Sequence, residues 1–123
     1  MRFFNRGAMK NLGFLYVKEK YPDDYKDITF VFHDVDCLVS LKNMTTFQTT
    51  LGKVKHIFGF KQTLGGIFSI KGQDYEAING FPCVWNWGYE DNALRRRWTY
   101  YKSDANTYSP NCIDYSEFYG YQD

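Results

Sequence analysis

A short apolar strand that runs directly into two acidic residues is the feature that most restricts how this chain can fold. Residues 28–32 are β-branched or aromatic at every position, which predicts a strand. Because the run is apolar on both faces, we expect a central strand in a sheet covered on each side. Asp34 and Asp36 follow at once. In open α/β sheets ligands collect at the carboxyl ends of strands, and two carboxylates there could hold a divalent cation that also binds phosphate oxygens.

A second informative stretch, residues 78–92, holds two of the three tryptophans. The rings of Trp85 and Trp87 are rigid and large, and an indole face can lie against the C–H face of a sugar. Gly88 has no side chain, so a ligand could approach the backbone closely at this point. These features favour a site that binds a small polar ring.

An adjacent pair of carboxylates, Glu90 and Asp91, ends the same stretch. Carboxylates can accept hydroxyl protons from a sugar, and one within hydrogen-bond reach is a candidate general base. Consecutive residues of a helix cannot point the same way, so we expect one to bind and the other to act in proton transfer. The structural alternative is the acidic first turn of a surface helix that continues through residues 93–97.

The remaining sequence predicts further helices and a strand around these two stretches. Asn5 can cap a helix over residues 7–20, and the apolar face of this helix would consist of Ala8, Met9, Leu12 and Leu15 or Tyr16. Residues 67–70 predict a strand and residues 74–78 a short helix. Residues 100–123 would form a Tyr-rich irregular tail.

Composition excludes several classes of protein. A chain of 123 residues corresponds to one domain, and its net charge of +1 argues against a nucleic-acid partner. No apolar run reaches about 18 residues, so we expect a soluble chain with neither a membrane span nor a signal peptide, although its location stays unknown. The chain has an odd number of cysteines, Cys37, Cys83 and Cys112, and no CxxC motif. This pattern predicts buried free thiols.

Several motifs in a fixed order resemble the β-1,4-galactosyltransferase family, especially its C-terminal catalytic portion. The resemblance extends from Phe4 to about Arg97, which implies that residues 1–99 form a galactosyltransferase-like catalytic portion. The matching segments are Phe4-Asn5-Arg6, Asn11-Leu12-Gly13-Phe14, residues 30–36, Leu64-Gly65-Gly66, residues 78–82 and residues 85–91. It implies an α/β fold of the glycosyltransferase-A type, here partial, with a mixed central sheet flanked by helices.

On the donor side, the resemblance implies a set of residues for a UDP-sugar. Arg6 would contact the donor nucleotide or its diphosphate. Asp34, with Val35 beside it, would help to hold the nucleotide sugar. Asp36 would ligate Mn²⁺, which neutralises charge on the departing diphosphate. Trp87 would lie over the donor and acceptor sugars.

On the acceptor side, the resemblance implies a second set of residues for a carbohydrate or glycoconjugate. Trp87 and Gly88 would lie against the acceptor sugar, and Glu90 would bind one of its hydroxyls. Asp91 would also bind the acceptor and would be the catalytic base. The implied reaction is the inverting transfer of galactose, or a related sugar, from the donor to an acceptor hydroxyl.

Some positions depart from the family pattern. Tyr89 stands where the family usually has Gly, and Thr63 stands where an aromatic residue is common, so a bulkier donor sugar could fit. No histidine follows His56, so the family's later metal-binding segment has no counterpart and metal binding should be weak. A structural role is expected for His33 and His56.

Two other functions remain open. The chain could be an inactive remnant or carbohydrate-binding module of the same family, because earlier nucleotide-binding strands have no counterpart in it. Such a chain could need a protein partner that covers the missing part of the sheet. A metal-dependent nuclease or phosphatase is disfavoured, because it would leave the tryptophan-rich stretch without a role.

Overall fold

Three helices and a small sheet make up the part of the chain that the computed structural model describes, residues 4–37, 47–83, 85, 88–104 and 113–114. The elements are, in chain order, α1 (Arg6–Lys20), β1 (Thr29–His33), β2 (Val54–Phe58), β3 (Ile67–Lys71), α2 (Gly72–Ala77), α3 (Glu90–Asp104) and β4 (Ile113–Asp114). The helices predicted over residues 7–20 and 74–78 and the strands predicted at residues 28–32 and 67–70 are present with ends shifted by at most two residues. Helix α3 extends beyond residues 93–97 at both ends, and β2 and β4 have no counterpart among the predictions.

The sheet is mixed and has the strand order β1-β3-β2-β4. β3 pairs antiparallel with both β1 and β2, whereas the short β4 pairs parallel with β2. The predicted α/β class and mixed sheet are therefore confirmed.

The central position predicted for β1 was wrong. In the described part of the chain β1 lies at the edge of the sheet and pairs with β3 alone. Phe30 and Phe32 face the core, but Val31 between them is 40% exposed. Side chains of β1 alternate between a covered and an exposed face, as is common in antiparallel strands. The prediction failed because Val31, although apolar, lies on the exposed face.

The first helix begins as the sequence predicts, because the Asn5 side chain accepts a hydrogen bond from the backbone N–H of Ala8 at 2.9 Å. Its predicted apolar face was wrong. Met9, Leu12, Leu15 and Tyr16 are all between 46% and 65% exposed. The buried side carries Gly7 and Phe14 instead.

A polar side chain explains why α1 turns this other side to the protein. The Asn11 amide donates to the Phe81 carbonyl at 2.8 Å, and its oxygen accepts from the Phe81 N–H at 3.0 Å and from the Tyr75 hydroxyl at 2.5 Å. Gly7 permits close approach, since a Cβ there would collide with the Pro82 carbonyl. Hydrophobic periodicity detects neither a glycine contact nor a satisfied amide.

The main core lies on one face of the sheet, and all three helices contribute to it. Phe14 of α1, Tyr75 of α2 and Trp98 of α3 belong to one buried cluster with Phe32 and Phe68 of the sheet. The ring centroids of Phe32 lie 4.7 Å from Tyr75 and 5.1 Å from Phe68. A smaller cluster, in which Cys37 packs with Ile57 and Ile67, forms separately.

The last described residues bear on the predicted tail and on the cysteines. Helix α3 continues to Asp104, five residues into the range 100–123, so the division at residues 99 and 100 stays a prediction. Cys37 is a buried free thiol, as predicted, but Cys83 is exposed, and Cys112 lies outside the described residues. Among the described helices, none combines the length and apolar character that crossing a membrane requires.

Removing the Asn11 amide should destabilise the protein. Asn11→Ala leaves the Tyr75 hydroxyl and the Phe81 N–H and carbonyl without their partner, so we expect a loss of about 2–3 kcal/mol in unfolding free energy. Urea denaturation measures it. The control is Leu12→Ala, one residue along on the exposed side, which should change stability by less than about 0.5 kcal/mol. Equal effects of the two changes would contradict the assigned orientation of α1.

Acid should weaken the fold through His56, which lies in β2 beside a β-bulge and is fully buried. Its Nε2 donates to the Gly65 carbonyl at 3.1 Å, and burial lowers the pKa of the imidazole from 6.5 to about 4. The unfolded chain therefore takes up this proton at a higher pH than the folded chain. Stability contributed by the neutral ring is complete above pH 6.5 and is lost as the pH falls toward 4.

We expect protonation of His56 to lower the unfolding free energy by up to about 3 kcal/mol between pH 7 and 4. Urea denaturation across this range measures the slope. The variant His56→Gln keeps an N–H donor but cannot titrate, so its stability should fall less steeply than that of the parent. The same slope in both proteins would show that His56 is not the titrating group.

Candidate functional site

An open cavity of about 770 Å³ brings together four separate segments of the chain. They are the start of α1, the turn after β1, the glycine-containing loop before β3, and the start of α3. The predicted site residues that line it are Arg6, Asp34, Val35, Asp36, Gly88, Glu90 and Asp91. The two acidic stretches, which the sequence separates by more than fifty residues, therefore share one cleft.

Arg6 joins these two acidic stretches. Its Nη1 donates to Asp91 Oδ1 at 2.6 Å and lies 3.4 Å from Glu90 Oε1, while its Nη2 donates to Asp34 Oδ1. As the first residue of α1, Arg6 is fixed in place by the Asn5 cap. A guanidinium offers five donors in a planar fork, which suits it to several carboxylates at once.

The carboxylates at the two ends of this bridge differ in pKa. Burial alone would raise the pKa of Asp34, but the hydrogen bonds and charges of Arg6 and Lys10 hold it below the ordinary value. For Asp91, burial raises the pKa, and Arg6 only partly offsets this effect. Asp91 is therefore the more basic of the two groups, as a proton acceptor near neutral pH requires.

Glu90 and Asp91 converge on one guanidinium, contrary to the expectation that consecutive residues point apart. They begin α3, and both carboxylates approach the same guanidinium nitrogen, Nη1, while Nη2 faces Asp34. Glu90 is 7% exposed, and its Oε2 is buried without a hydrogen-bond partner among the described residues. Glu90 lines the cavity, and a carboxylate oxygen without a partner is suited to accept a hydrogen bond from a ligand hydroxyl.

Glycine is required where the loop before β3 passes Asp91. A Cβ at Gly65 would collide with the Asp91 carboxylate, and the Leu64 N–H donates to the Asp91 carbonyl at 3.1 Å. Gly88 has a φ of 118°, so its backbone conformation, rather than a close contact with the described residues, calls for glycine. Tyr89, also at a positive φ of 65°, is 82% exposed at the cavity.

A candidate metal cluster lies at the end of β1. The ligand atoms of Asp34, Asp36 and Cys37 lie within 4.8 Å of one another. Two carboxylates suit a hard divalent cation, whereas Cys37 offers a soft sulfur that such a cation does not prefer. Asp34 already binds Arg6 and Lys10, so the exposed Asp36 is the best ligand of the set.

Three further residues bear on how complete the predicted site is. Trp87 lies outside the described residues, so its predicted sugar contact stays a prediction, and Trp85 is 64% exposed. Lys10, which we did not predict, lines the cavity with its Nζ 3.1 Å from Asp34 Oδ1. Its position four residues after Arg6 on a helix was the signal that could have revealed it.

Comparison with known proteins agrees with these features. A family model described as the N-terminal domain of galactosyltransferase matches residues 45–121. Human beta-1,4-galactosyltransferase 6 is 34% identical over 103 residues, which cover 76% of this chain and 26% of that protein. Bovine beta-1,4-galactosyltransferase 1 is 37% identical over 106 residues, covering 76% of this chain and 25% of that protein.

The chain therefore belongs to the β-1,4-galactosyltransferase family. It spans about a quarter of the length of the curated relatives that it matches.

Removing the charge of Arg6 should leave the clustered carboxylates uncompensated. We expect Arg6→Met to lower the unfolding free energy by about 2–4 kcal/mol at pH 7, because Glu90 and Asp91 would lose their cation. The deficit should shrink toward pH 4, where the carboxylates bind protons. Urea denaturation at both pH values measures it.

Two further variants make the Arg6 experiment specific. Arg96→Met removes an exposed arginine of α3 and should change stability by less than about 0.5 kcal/mol. Adding Asp91→Asn to Arg6→Met should recover part of the lost stability, since one repelling charge is removed. A double variant no more stable than Arg6→Met would refute charge repulsion as the cause.

Proposed function

We propose that this chain carries the catalytic centre of a metal-dependent inverting glycosyltransferase. The reaction is transfer of galactose, or a related sugar, from a UDP-sugar donor to a hydroxyl of a carbohydrate acceptor. The observation that supports it best is the single cleft in which Arg6 bridges Asp34 to Glu90 and Asp91. A displacement needs charge stabilisation on the leaving side and a base on the attacking side, and the two ends of this cleft can supply one each.

The donor diphosphate binds at the end of β1 in this proposal. Arg6 contacts the nucleotide diphosphate, and Asp34, with Val35 beside it, helps to hold the nucleotide sugar. Asp36, with help from Asp34, would hold Mn²⁺, which when bound neutralises charge on the departing diphosphate. Asp36 is exposed, whereas Asp34 already pairs with Arg6 and Lys10. Both facts favour Asp36 as the main ligand of the metal.

The acceptor sugar binds at the start of α3. Glu90 accepts a hydrogen bond from an acceptor hydroxyl through its unpartnered Oε2, while Trp87 and Gly88 lie against the sugar. Asp91 removes the proton from the attacking hydroxyl. The hydroxyl oxygen forms a bond to the anomeric carbon, the bond from that carbon to the phosphate oxygen breaks, and UDP leaves with the electron pair.

The ion pair between Arg6 and Asp91 gives the donor a second role. Asp91 cannot act as an efficient base while Arg6 Nη1 occupies its Oδ1 at 2.6 Å. A diphosphate that engages Arg6 competes with Asp91 for the guanidinium and releases the carboxylate toward the acceptor. Thr63 also lines the cavity, and a small side chain there leaves room for a donor sugar bulkier than galactose.

Replacing the proposed base should separate chemistry from binding. We expect Asp91→Asn to lower UDP-sugar transfer at least about a hundredfold, because general-base catalysis is worth that much or more. UDP affinity should be retained or become somewhat tighter, because Arg6 no longer pairs with a charged Asp91. Transfer is measured as UDP release with manganese and an acceptor sugar, and affinity by calorimetric titration. The exposed Asp23→Asn is the matched control and should retain full transfer.

The same assays decide between the proposed functions. Transfer by Asp91→Asn at the parental rate would refute the assignment of the base. A parent chain that binds an acceptor sugar but no UDP in millimolar manganese would instead favour a carbohydrate-binding module without transferase activity. Loss of parental transfer on chelation would support metal dependence.

A further inference from the structure

We propose that Lys10 is a binding residue for the donor diphosphate and acts beside Arg6. This inference rests on the proposed function and adds to it a cation that the sequence motifs did not indicate. The residue would let the chain keep measurable affinity for a nucleoside diphosphate when divalent metal is removed.

The position of Lys10 supports this role. It follows Arg6 by one helical turn, so both side chains leave α1 on the same side. The Lys10 side chain is 14% exposed and lines the cavity, and its Nζ lies 3.1 Å from Asp34 Oδ1. Lys10 therefore contacts Asp34, one of the residues proposed to bind the donor.

The ammonium of Lys10 has spare hydrogen-bonding capacity. It carries three N–H donors, and among the described residues its hydrogen bond goes to Asp34. The ring of Phe81 lies 5.2 Å from Nζ and provides an apolar, electron-rich floor. Burying an ammonium is costly unless it is paired, so a charged ligand that completes its hydrogen bonds would be favoured.

The charge balance of the cavity requires more than Arg6. Among the described residues, the cavity lining contains four carboxylates. Its lysine and arginine side chains are those of Lys10 and Arg6 alone. Arg6 is already committed to three carboxylates, of Asp34, Glu90 and Asp91. A diphosphate adds further negative charge to this cleft. Among the described residues, Lys10 forms an ion pair with Asp34 alone, so its ammonium can also contact the diphosphate. A compact ammonium is a good phosphate ligand.

Calorimetric titration with UDP and with uridine tests the inference. In the absence of divalent metal, we expect Lys10→Met to weaken UDP binding about tenfold, since a charged hydrogen bond is worth about that factor. Uridine, which lacks phosphate, should bind both proteins equally. Manganese should reduce the difference for UDP, because the metal also neutralises the diphosphate.

A matched control and a second variant keep the test decisive. Lys18→Met removes the same charge from α1 at a distant ion pair with Glu76, and should leave UDP affinity unchanged. Thermal unfolding checks that Lys10→Met is folded. If it is not, Lys10→Gln, which keeps an N–H donor for Asp34 without the charge, should show the same selective loss for UDP.

The possible failures are distinguishable. A parent chain that binds no UDP even with manganese would overturn the proposed function together with this inference. If the parent and Lys10→Met bind UDP equally tightly without metal, the inference about Lys10 is overturned but the proposed function is not. Equal weakening for uridine and UDP would also overturn it, because Lys10 would then act only by holding Asp34.

Discussion

The arrangement of the cleft depends on one guanidinium. Arg6 contacts carboxylates that lie 28 and 85 residues further along the chain, and so joins the turn after β1 to the start of α3. Without a cation between them, Asp34, Glu90 and Asp91 would repel one another across a partly buried space. In the proposed reaction a bound diphosphate would compete with these carboxylates for the guanidinium, so the interaction that assembles the site would also have to yield when the donor binds.

Helix α1 can present this guanidinium because the protein holds the helix firmly at several points. Asn5 caps its first turn, Asn11 makes three hydrogen bonds to Tyr75 and Phe81, and Phe14 enters the aromatic core. The contacts of Asn11 and Phe14 with other segments fix the rotation of the helix about its axis. Arg6 and Lys10 reach the cavity as a consequence of this rotation, and the apolar residues of the opposite side remain exposed.

The candidate site was predictable where a residue type itself carries the chemistry. Asp34, Asp36, Glu90 and Asp91 were identified from acids that follow a strand or a tryptophan-rich stretch. Lys10 was missed because a lysine on a helix normally reads as a solvated surface residue. Its role depends on Asp34, which meets it only in the folded chain.

The sequence by itself determined the class of fold, the three helices, strands β1 and β3, the Asn5 cap and the family, because these follow from local propensity and from ordered motifs. Tertiary structure alone decided that β1 lies at the edge of the described sheet, that α1 buries Gly7 and Phe14, and that Glu90 and Asp91 share one cation. The physical reason is that local patterns report how readily a residue can be buried. Which residues are buried together is set by hydrogen bonds and charges between segments that are distant in sequence.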